Sequence, residues 1–378
     1  MESMPMKKEL NVGIVGARFM GRAHSNAWCD VARFYNLPFV PVMKAACDID
    51  PASEENFAER LGWQSFESSW EKLIRRADID LIDICTPNKL HLPVAVMAAR
   101  EGKHVICEKP LAMNAEEAWK MAEAAEVSGV NHMVAFNYRR VPAIALAQKM
   151  IAEGKLGKIH HFNAVYYQDW LVDPESPWVW RNDVKLAGSG AHGDMNAHTV
   201  DLARFLVGDF EAVCGDEKVF VASRALPGGE GFGKVTADDT TCFLARFKNG
   251  AMGNFIASRF STGRKNFLRL EIFGSEGSLS FNLERLNELE YFSRNDASSE
   301  QGFRTIMVTE SEHPYIRKWW PPGHIIGWEH TFIHEIGDFL LAIAEKKKIK
   351  PDFYDGYQCQ LVLDAVSSST RNRQWVTI

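Results

Sequence analysis

Lys109 lies between Glu108 and Pro110, directly after the short apolar run His104–Cys107. Such a run is typical of a β-strand, and in an open α/β sheet ligands bind outside the carboxyl ends of the strands. Pro110 keeps the Lys109 backbone out of the helical region and so restricts the direction of its ammonium group. An ammonium at this place could donate to a reacting oxygen and stabilise alkoxide character. The alternative is a surface lysine in a loop.

Asp194 and His198 form a second pair with chemical potential, at the end of a glycine-rich stretch. Their spacing predicts that both side chains share one face of a helix that begins near Asp194. A carboxylate one turn from an imidazole would orient the ring, as in a general base. A helix-capping aspartate with a histidine packed in the core is the alternative. A metal site with His192 would lack further ligands, and no metal is predicted.

The turn from Gly16 to Gly21 follows the first apolar run and resembles a dinucleotide-binding turn. Glycines permit a tight bend and close approach to a pyrophosphate, and the N-terminal amides of the next helix attract phosphates. Arg18 replaces the middle glycine of the usual pattern, and its guanidinium could lie over the phosphates or point into solvent. Phe19 and Met20 complete the predicted phosphate-binding turn, which is a weak match by itself.

Asp48 follows the second run, Val42–Cys47. A carboxylate there would accept hydrogen bonds from both ribose hydroxyls and repel a 2′-phosphate, which predicts NAD over NADP. The spacing from Gly16 exceeds the roughly 20 residues of the usual pattern, so an insertion is predicted around Val31–Pro41. Capping of the next helix by Asp48, or a substitute role for Asp50, are the alternatives.

Polar residues also follow the next apolar runs, and the carboxyl ends of parallel strands meet at one sheet edge. Several strand ends that carry polar groups at one edge make a stronger signal than any single motif. The residues predicted there as cofactor contacts are Thr86, Asn88, His91, Glu108 and Lys109.

The order of apolar runs and helical stretches indicates two domains. Up to about residue 138 the alternation predicts βαβ units on a parallel sheet. Beyond it, β-rich runs separated by turn signals predict a mainly antiparallel sheet. The stretches 207–234 and 296–324 are predicted as loops, and helices are predicted at Ala143–Glu153, His330–Glu345 and Gly356–Ser369.

Composition places the chain among ordinary globular proteins. Its 378 residues include 24% charged and 46% hydrophobic residues, with a net charge of −6. The chain has no surplus of basic residues, so no nucleic-acid partner is predicted. The seven cysteines are odd in number and scattered, as in proteins of a reducing compartment. No stretch approaches the roughly 20 apolar residues of a membrane span, so a cytoplasmic protein is predicted.

Taken together, the motifs G-x-x-x-x-G-x-A-H, T-P-N-x-x-H, E-K-P and D-x-x-x-H resemble the Gfo/Idh/MocA oxidoreductase family over nearly the whole chain. The resemblance implies an α/β fold: a Rossmann dinucleotide-binding domain at 1–138 and an α+β domain at 139–378 with a large, mainly antiparallel open sheet. It implies NAD on the first domain and a sugar or polyol on the second. Lys109, Asp194 and His198 match the family's catalytic residues, and Arg18 departs from its glycine pattern.

The resemblance also extends the predicted site. Asn137, Trp180 and Arg181 would serve the cofactor or the architecture of the active site. Aromatic rings and polar groups at the start of the second domain suit the C–H faces and hydroxyls of a sugar. The residues predicted to contact the sugar are Gln168, Asp169 and Trp170, with Tyr138, Arg139 and His324 as weaker candidates.

The predicted activity is NAD-dependent oxidation of a secondary hydroxyl, at C3 of a pyranose sugar, anhydrosugar or glycoside. His198 would take the hydroxyl proton, with Lys109 and Asp194 assisting. Alternatives are a tightly held NAD that drives glycoside cleavage or epimerisation by transient oxidation, an inositol or polyol dehydrogenase, and a non-catalytic dinucleotide-binding sensor. The apolar strands between 239 and 281 are compatible with a homodimer or homotetramer.

Overall fold

A computed structural model describes residues 7–48 and 57–378 of the chain. The chain divides into two compact units. The first runs to Ala112 and adds Glu116–Asn137 and Gly327–Tyr357, and the second comprises Met113–Ala115, Tyr138–Ile326 and Gln358–Ile378. The predicted division at residue 138 did not place Gly327–Tyr357 in the first unit. Packing of a late helix on an early one, which has no signature in the local sequence, explains this addition.

In the described part of the first unit, six parallel strands form one sheet in the order β3-β2-β1-β4-β5-β6. The strands β4 and β5 are almost fully buried, as expected for a parallel sheet covered on both faces. The strand order reverses between β1 and β4, which is where ligands bind in such sheets. The strands are β1 (Lys8–Val15), β2 (Phe39–Cys47), β3 (Phe66–Glu67), β4 (Leu81–Ile84), β5 (His104–Cys107) and β6 (His132–Val134).

Amphipathic helices cover this sheet. In α1 the buried residues include His24, Trp28 and Val31, at the three- and four-residue spacing of one helix face. The long spacing from Gly16 to Asp48 is filled by the 16-residue helix α1 and the nine-residue strand β2, and the predicted insertion around Val31–Pro41 falls on the end of α1 and the start of β2. The helices are α1 (Phe19–Phe34), α2 (Trp70–Arg75), α3 (His91–Arg100), α4 (Ala115–Ser128) and, later in the chain, α8 (His330–Glu345).

Within the described residues, nine strands form the second sheet in the order β16-β15-β14-β13-β7-β12-β11-β8-β17. Every pairing is antiparallel except that of β7 with β12. Buried and exposed residues alternate along β11, so one face of the sheet packs and the other is open. The strands are β7 (Ile159–Tyr167), β8 (Phe210–Lys218), β11 (Thr240–Phe247), β12 (Met252–Ser258), β13 (Phe267–Gly274), β14 (Gly277–Asn282), β15 (Glu288–Ser293), β16 (Arg304–Met307) and β17 (Val376–Thr377).

The remaining elements complete the second unit. A π-helical turn at His192–Asn196 leads directly into a helix whose residues are mostly buried. A two-stranded ribbon, β9 (Ser223–Ala225) and β10 (Phe232–Lys234), lies in a stretch predicted as loop. The helices are α5 (Pro142–Ala152), α6 (Val184–Ala187), α7 (Ala197–Leu206) and α9 (Phe353–Asn372), the last of which begins in the first unit.

The predicted fold class is confirmed: a parallel Rossmann-type sheet is followed by a large, mainly antiparallel one. Among the described residues 7–48 and 57–378, no helix is both long enough and apolar enough to span a membrane.

Candidate active site

The glycine turn lies at the switch point of the first sheet. Gly16 has a φ of +107°, and a Cβ on it would lie 2.5 Å from the carbonyl oxygen of Cys85. A Cβ on Gly21 would lie 1.9 Å from the carbonyl oxygen of Gly16. Both positions therefore need glycine, one for its backbone conformation and both for close packing. The first turn of α1 has neither an acidic side chain nor a side-chain cap, so its amides are oriented for an anion.

Asp48 is buried at the end of β2, and its Oδ2 accepts a hydrogen bond of 2.6 Å from the Ala17 backbone N–H. The carboxylate is thus held at the glycine turn, where it was predicted to meet the ribose. Arg18 is exposed at the N-terminus of α1, and Phe19 stacks on Trp328 with ring centroids 5.7 Å apart. The alternative residue Asp50 lies outside the described residues.

The residues that follow β4 include a threonine with a buried hydroxyl, Thr86, and a histidine that contacts two backbone carbonyls, His91. In the described structure, the Oγ1 of Thr86 is buried and has no hydrogen-bond partner. The His91 ring lies within 3.0 Å of the carbonyl oxygens of Thr86 and Pro110. Burial lowers the pKa of His91. His91 therefore ties two strand ends together, and we expect it to act on a cofactor only through them.

Asn88 and Asn137, two further predicted contacts, are both buried in the first unit. Asn88 opens a 3₁₀ turn after β4. The amide of Asn137 donates a 2.8 Å hydrogen bond to the hydroxyl of Thr331 on α8. Asn137 thereby links the end of the first sheet to the late helix.

Glu108 is buried, and both of its carboxylate oxygens contact other residues of the site. Its Oε1 lies 3.0 Å from the Nε2 of His24, and its Oε2 accepts a hydrogen bond from the Lys109 backbone N–H. The Nδ1 of the same His24 ring lies 3.0 Å from Asp83. The Glu108 carboxylate thus supports the backbone of Lys109, whose side chain is partly exposed.

These features fit a dinucleotide. The turn brings uncapped amides and a buried carboxylate together, and the Thr86 hydroxyl is available at the next strand end. The glycines allow a phosphate group to approach the backbone closely.

A Gly16→Ala substitution tests this turn. Backbone strain costs about 1–3 kcal/mol at such a position, and the clash with the Cys85 carbonyl adds to it, so both stability and NADH affinity should fall. Gly62→Ala is the matched control, because Gly62 has a φ of +82° but no described atom within 4 Å of an added Cβ. Urea unfolding and NADH fluorescence titration measure the two effects. Equal losses in both variants would show that the turn is not tightly packed.

Asp194 lies in the π-helical turn before α7, so the predicted regular α-helix does not extend to it. Single π turns of this kind occur frequently at functional sites. The carboxylate of Asp194 accepts a 2.8 Å hydrogen bond from Arg259, whose side chain is buried and lies over the Trp170 ring. Both nitrogens of His192 are occupied by Asn196 and a backbone carbonyl, which argues against the metal alternative.

His198 is buried on α7 and packs against two tyrosines. Its ring centroid is 4.3 Å from that of Tyr138 and 6.1 Å from that of Tyr166. The two tyrosine hydroxyls are 2.9 Å apart. Burial is the main cause that raises the pKa of Tyr166 well above its usual value, so this hydroxyl stays protonated. Two predicted residues, His198 and Tyr138, are thus in direct contact.

A directed chain of hydrogen bonds continues from these tyrosines. The Oδ1 of Asn266 accepts from both the Tyr166 hydroxyl, at 2.8 Å, and the Gln168 amide, at 3.0 Å. Trp170 donates its indole N–H to the Oε1 of Gln168. Since Tyr166 donates to Asn266, Tyr138 must be the donor in the tyrosine pair. The chain fixes the orientation of both amides and therefore of the groups that they present to a ligand.

Asp169 and Arg139 each form a salt bridge. The Asp169 carboxylate pairs with Lys265 at 2.8 Å and accepts from the Gly263 N–H, and the Lys265 contact lowers its pKa. Arg139 makes a buried bidentate pair with Asp201.

Three further residues predicted to belong to the site, Trp180, Arg181 and His324, lie in the second unit. His324 is exposed, and its ring donates to the carbonyl of Pro321 in its own loop. The Arg181 guanidinium lies 4.4 Å above the Trp180 ring in a 3₁₀ turn. These contacts give no direct support for a role of any of the three in binding.

Sequence reasoning did not assign roles to His24, Asp83, Arg259 or Asn266. Arg259 follows β12 and Asn266 precedes β13, the two strands that flank β7. Because β12 is parallel and β13 antiparallel to β7, both residues lie at the sheet edge where Gln168 emerges. Only the strand order reveals this. His24 could have been found from the sequence, because it is the histidine of the motif G-x-x-x-x-G-x-A-H.

Comparisons with known proteins agree with this geometry. Residues 10–136 match a family model described as an oxidoreductase family with an NAD-binding Rossmann fold, and residues 144–280 match the GFO/IDH/MocA C-terminal domain. Levoglucosan dehydrogenase of Pseudarthrobacter phenanthrenivorans is 43% identical over 385 residues, which cover 98% of each chain.

Two further comparisons concern structure and a more distant relative. A solved levoglucosan dehydrogenase in complex with NADH and levoglucosan has a TM-score of 0.95 and 43% identity, covering 98% of this chain and 99% of that one. Glucose-6-phosphate 3-dehydrogenase of Bacillus subtilis is 27% identical over 374 residues, 99% of each chain.

Proposed function

Because the chain belongs to the Gfo/Idh/MocA family of NAD-binding oxidoreductases, we propose that it oxidises C3 of a pyranose sugar, anhydrosugar or glycoside to a ketone. The predicted family and the NAD cofactor are confirmed. The observation that carries the proposal is the cluster around His198, in which aromatic rings and directed hydrogen-bonding groups line one edge of the second sheet.

The cluster suits a ring-shaped sugar. Tyr138 and Trp170 offer aromatic surface for C–H faces, and the Gln168 and Asn266 amides offer oriented groups for hydroxyls. The relative that is 43% identical over 98% of both chains is a dehydrogenase of an anhydrosugar, levoglucosan. A second relative is named for oxidation at C3 of a glucose phosphate, which supports that position.

NAD, when bound, accepts the hydride from the carbon that is oxidised. His198 takes the proton of the reacting hydroxyl, and its contact with the Tyr138 ring limits the orientations of the imidazole. Lys109 donates a hydrogen bond to the same oxygen and stabilises its alkoxide character. Asp194, held by Arg259, orients the sugar or the base. Asp169, whose Oδ2 pairs with Lys265 and accepts from the Gly263 N–H, remains a proposed sugar contact.

The proposal also includes the oligomeric state of the protein and its location in the cell. Leu244 and Met252 are about half exposed, and an apolar face of this kind supports a homodimer or homotetramer. All seven cysteines, of residues 29, 47, 85, 107, 214, 242 and 359, are free thiols, which supports a cytoplasmic location.

Substitution of Asn266 by leucine tests the hydrogen-bond chain. Tyr166 and Gln168 lose their common acceptor, and loss of about 1–3 kcal/mol of aligned hydrogen bonding corresponds to a sugar KM about 5- to 150-fold higher. Affinity for NADH should stay unchanged, because Asn266 belongs to the second unit. Asn295→Leu, at an exposed position, is the control. An unaltered sugar KM would mean that Asn266 plays no part in recognition.

The proposed activity is tested by NADH formation with a panel that contains levoglucosan, glucose, a phenyl glucoside and myo-inositol. We expect the highest kcat/KM with a pyranose and stoichiometric release of NADH and ketone. A preference for myo-inositol would support a polyol dehydrogenase instead. Turnover of a glycoside without added NAD or accumulating NADH would support transient oxidation by a retained cofactor. No oxidation of any member would contradict the proposal.

A further inference from the structure

His24 lies at the centre of a buried charge cluster in the first unit. The ring is fully buried on α1, with its Nδ1 3.0 Å from both oxygens of Asp83 and its Nε2 3.0 Å from Glu108. Asp83 belongs to β4, and Glu108 directly follows β5. One imidazole thus joins the helix that follows the glycine turn to the two strands whose ends carry Thr86 and Lys109.

The hydrogen bonds determine where the protons are. Asp83 also accepts a 2.7 Å bond from the Trp28 indole N–H, and Glu108 accepts a 3.0 Å bond from the Lys109 backbone N–H. Both carboxylates therefore act as acceptors on more than one side, as ionised carboxylates do. A neutral imidazole has one N–H and could donate to only one of two ionised carboxylates. With a proton on each ring nitrogen, His24 donates to Asp83 and Glu108 at once, and this arrangement satisfies all of these contacts.

The electrostatics of the cluster agree with a charged ring. Burial by itself would lower the pKa of His24, but the interactions of the ring with Asp83 and Cys85 together outweigh burial and raise the pKa well above its usual value. The groups that face the ring are Asp83, Cys85 and Glu108, and the Phe332 ring packs at 5.3 Å.

A bound metal is the competing explanation, because ligand atoms of His24, Asp83 and Cys85 lie within 4.8 Å of one another. The geometry argues against it, because the two nitrogens of His24 face different carboxylates and the ring is therefore engaged on both sides.

We propose that His24 is a positioning residue: a permanently charged imidazolium that holds the Glu108 carboxylate and, through it, the backbone of Lys109. Its role in catalysis rests on the proposed function, in which Lys109 donates to the reacting oxygen. Its charge does not depend on that function. A misplacement of about 1 Å at a catalytic group can cost a hundredfold in rate, so a support of this kind has a measurable effect.

The charge is tested by NMR of the holoenzyme labelled with ¹⁵N-histidine. We expect both His24 ring nitrogens to give the shifts of an imidazolium at neutral pH, with the signals assigned by their loss in His24→Gln. His132 is the internal control, because its Nδ1 accepts the Phe353 N–H and burial lowers its pKa, so its ring should be neutral. A neutral His24 ring, or a stoichiometric metal ion that is lost in His24→Gln, would overturn the assignment.

The positioning role is tested by kinetics of His24→Gln and Glu108→Gln. A glutamine at 108 still accepts from His24 but cannot also accept the Lys109 N–H through its amide nitrogen. In both variants kcat should fall about tenfold to a hundredfold, while the NADH dissociation constant changes little. Glu108→Gln serves alone if His24→Gln does not fold. An unchanged kcat in a folded Glu108→Gln would refute the positioning role, whereas an inactive wild type would refute only the proposed function.

Discussion

Replacement of Lys109 by methionine should lower kcat by about 10²–10⁴-fold, the usual contribution of a group that stabilises charge or transfers a proton in the transition state. Methionine keeps most of the side-chain length and removes the ammonium. The support from Glu108 acts on the Lys109 backbone N–H and is retained. NADH affinity should therefore change much less than kcat.

Steady-state kinetics on levoglucosan and NADH fluorescence titration measure the two quantities for Lys109→Met. Lys89→Met is the matched control, since Lys89 is exposed in the turn after β4 of the same unit and should tolerate the change. A kcat within twofold of the wild type would remove Lys109 from the mechanism. A loss confined to NADH affinity would assign it to cofactor binding alone.

Replacement of His198 by asparagine should reduce kcat by a comparable factor of about 10²–10⁴, because asparagine cannot accept the hydroxyl proton. The ring is buried against Tyr138, so thermal unfolding should be followed to separate a loss of packing from a loss of catalysis. His161→Asn provides the control, because His161 is exposed on β7. Full activity of a folded His198→Asn would show that another group takes the proton.

The double variant Lys109→Met/His198→Asn adds a test of whether the two residues serve one step. Groups that act together on one transition state are strongly non-additive, so the double variant should lose little more than the more impaired single variant. Multiplied losses would indicate that the residues act in separate steps.

The first half of the fold could be predicted because its signals are local. Short apolar runs alternate with helical stretches, and β5 has the bounds of the predicted run His104–Cys107. The helix α8 was also predicted with its bounds, His330–Glu345. Its place in the first unit depends on aromatic packing such as that of His24 with Phe332, which the local sequence does not encode.

The site shows the same division between local and distant signals. Asp48 was identified from its place after the second apolar run and His198 from its spacing to Asp194, and the structure places Asp48 at the glycine turn and His198 against Tyr138. The pairing of Asp169 with Lys265 was not predicted, because the two residues are far apart in the sequence. Arg259 and Asn266 were missed because strand order, not proximity in sequence, brings them beside Gln168.

The most direct test follows the hydride. Levoglucosan carrying deuterium at C3 is incubated with NAD and the protein, and the reduced cofactor is analysed by mass spectrometry, with sugar deuterated at C2 or C4 as controls. We predict that deuterium from C3 alone appears in NADH, together with an equal amount of 3-keto sugar. Unlabelled NADH from the C3-deuterated sugar, or label transferred from another carbon, would contradict oxidation at C3.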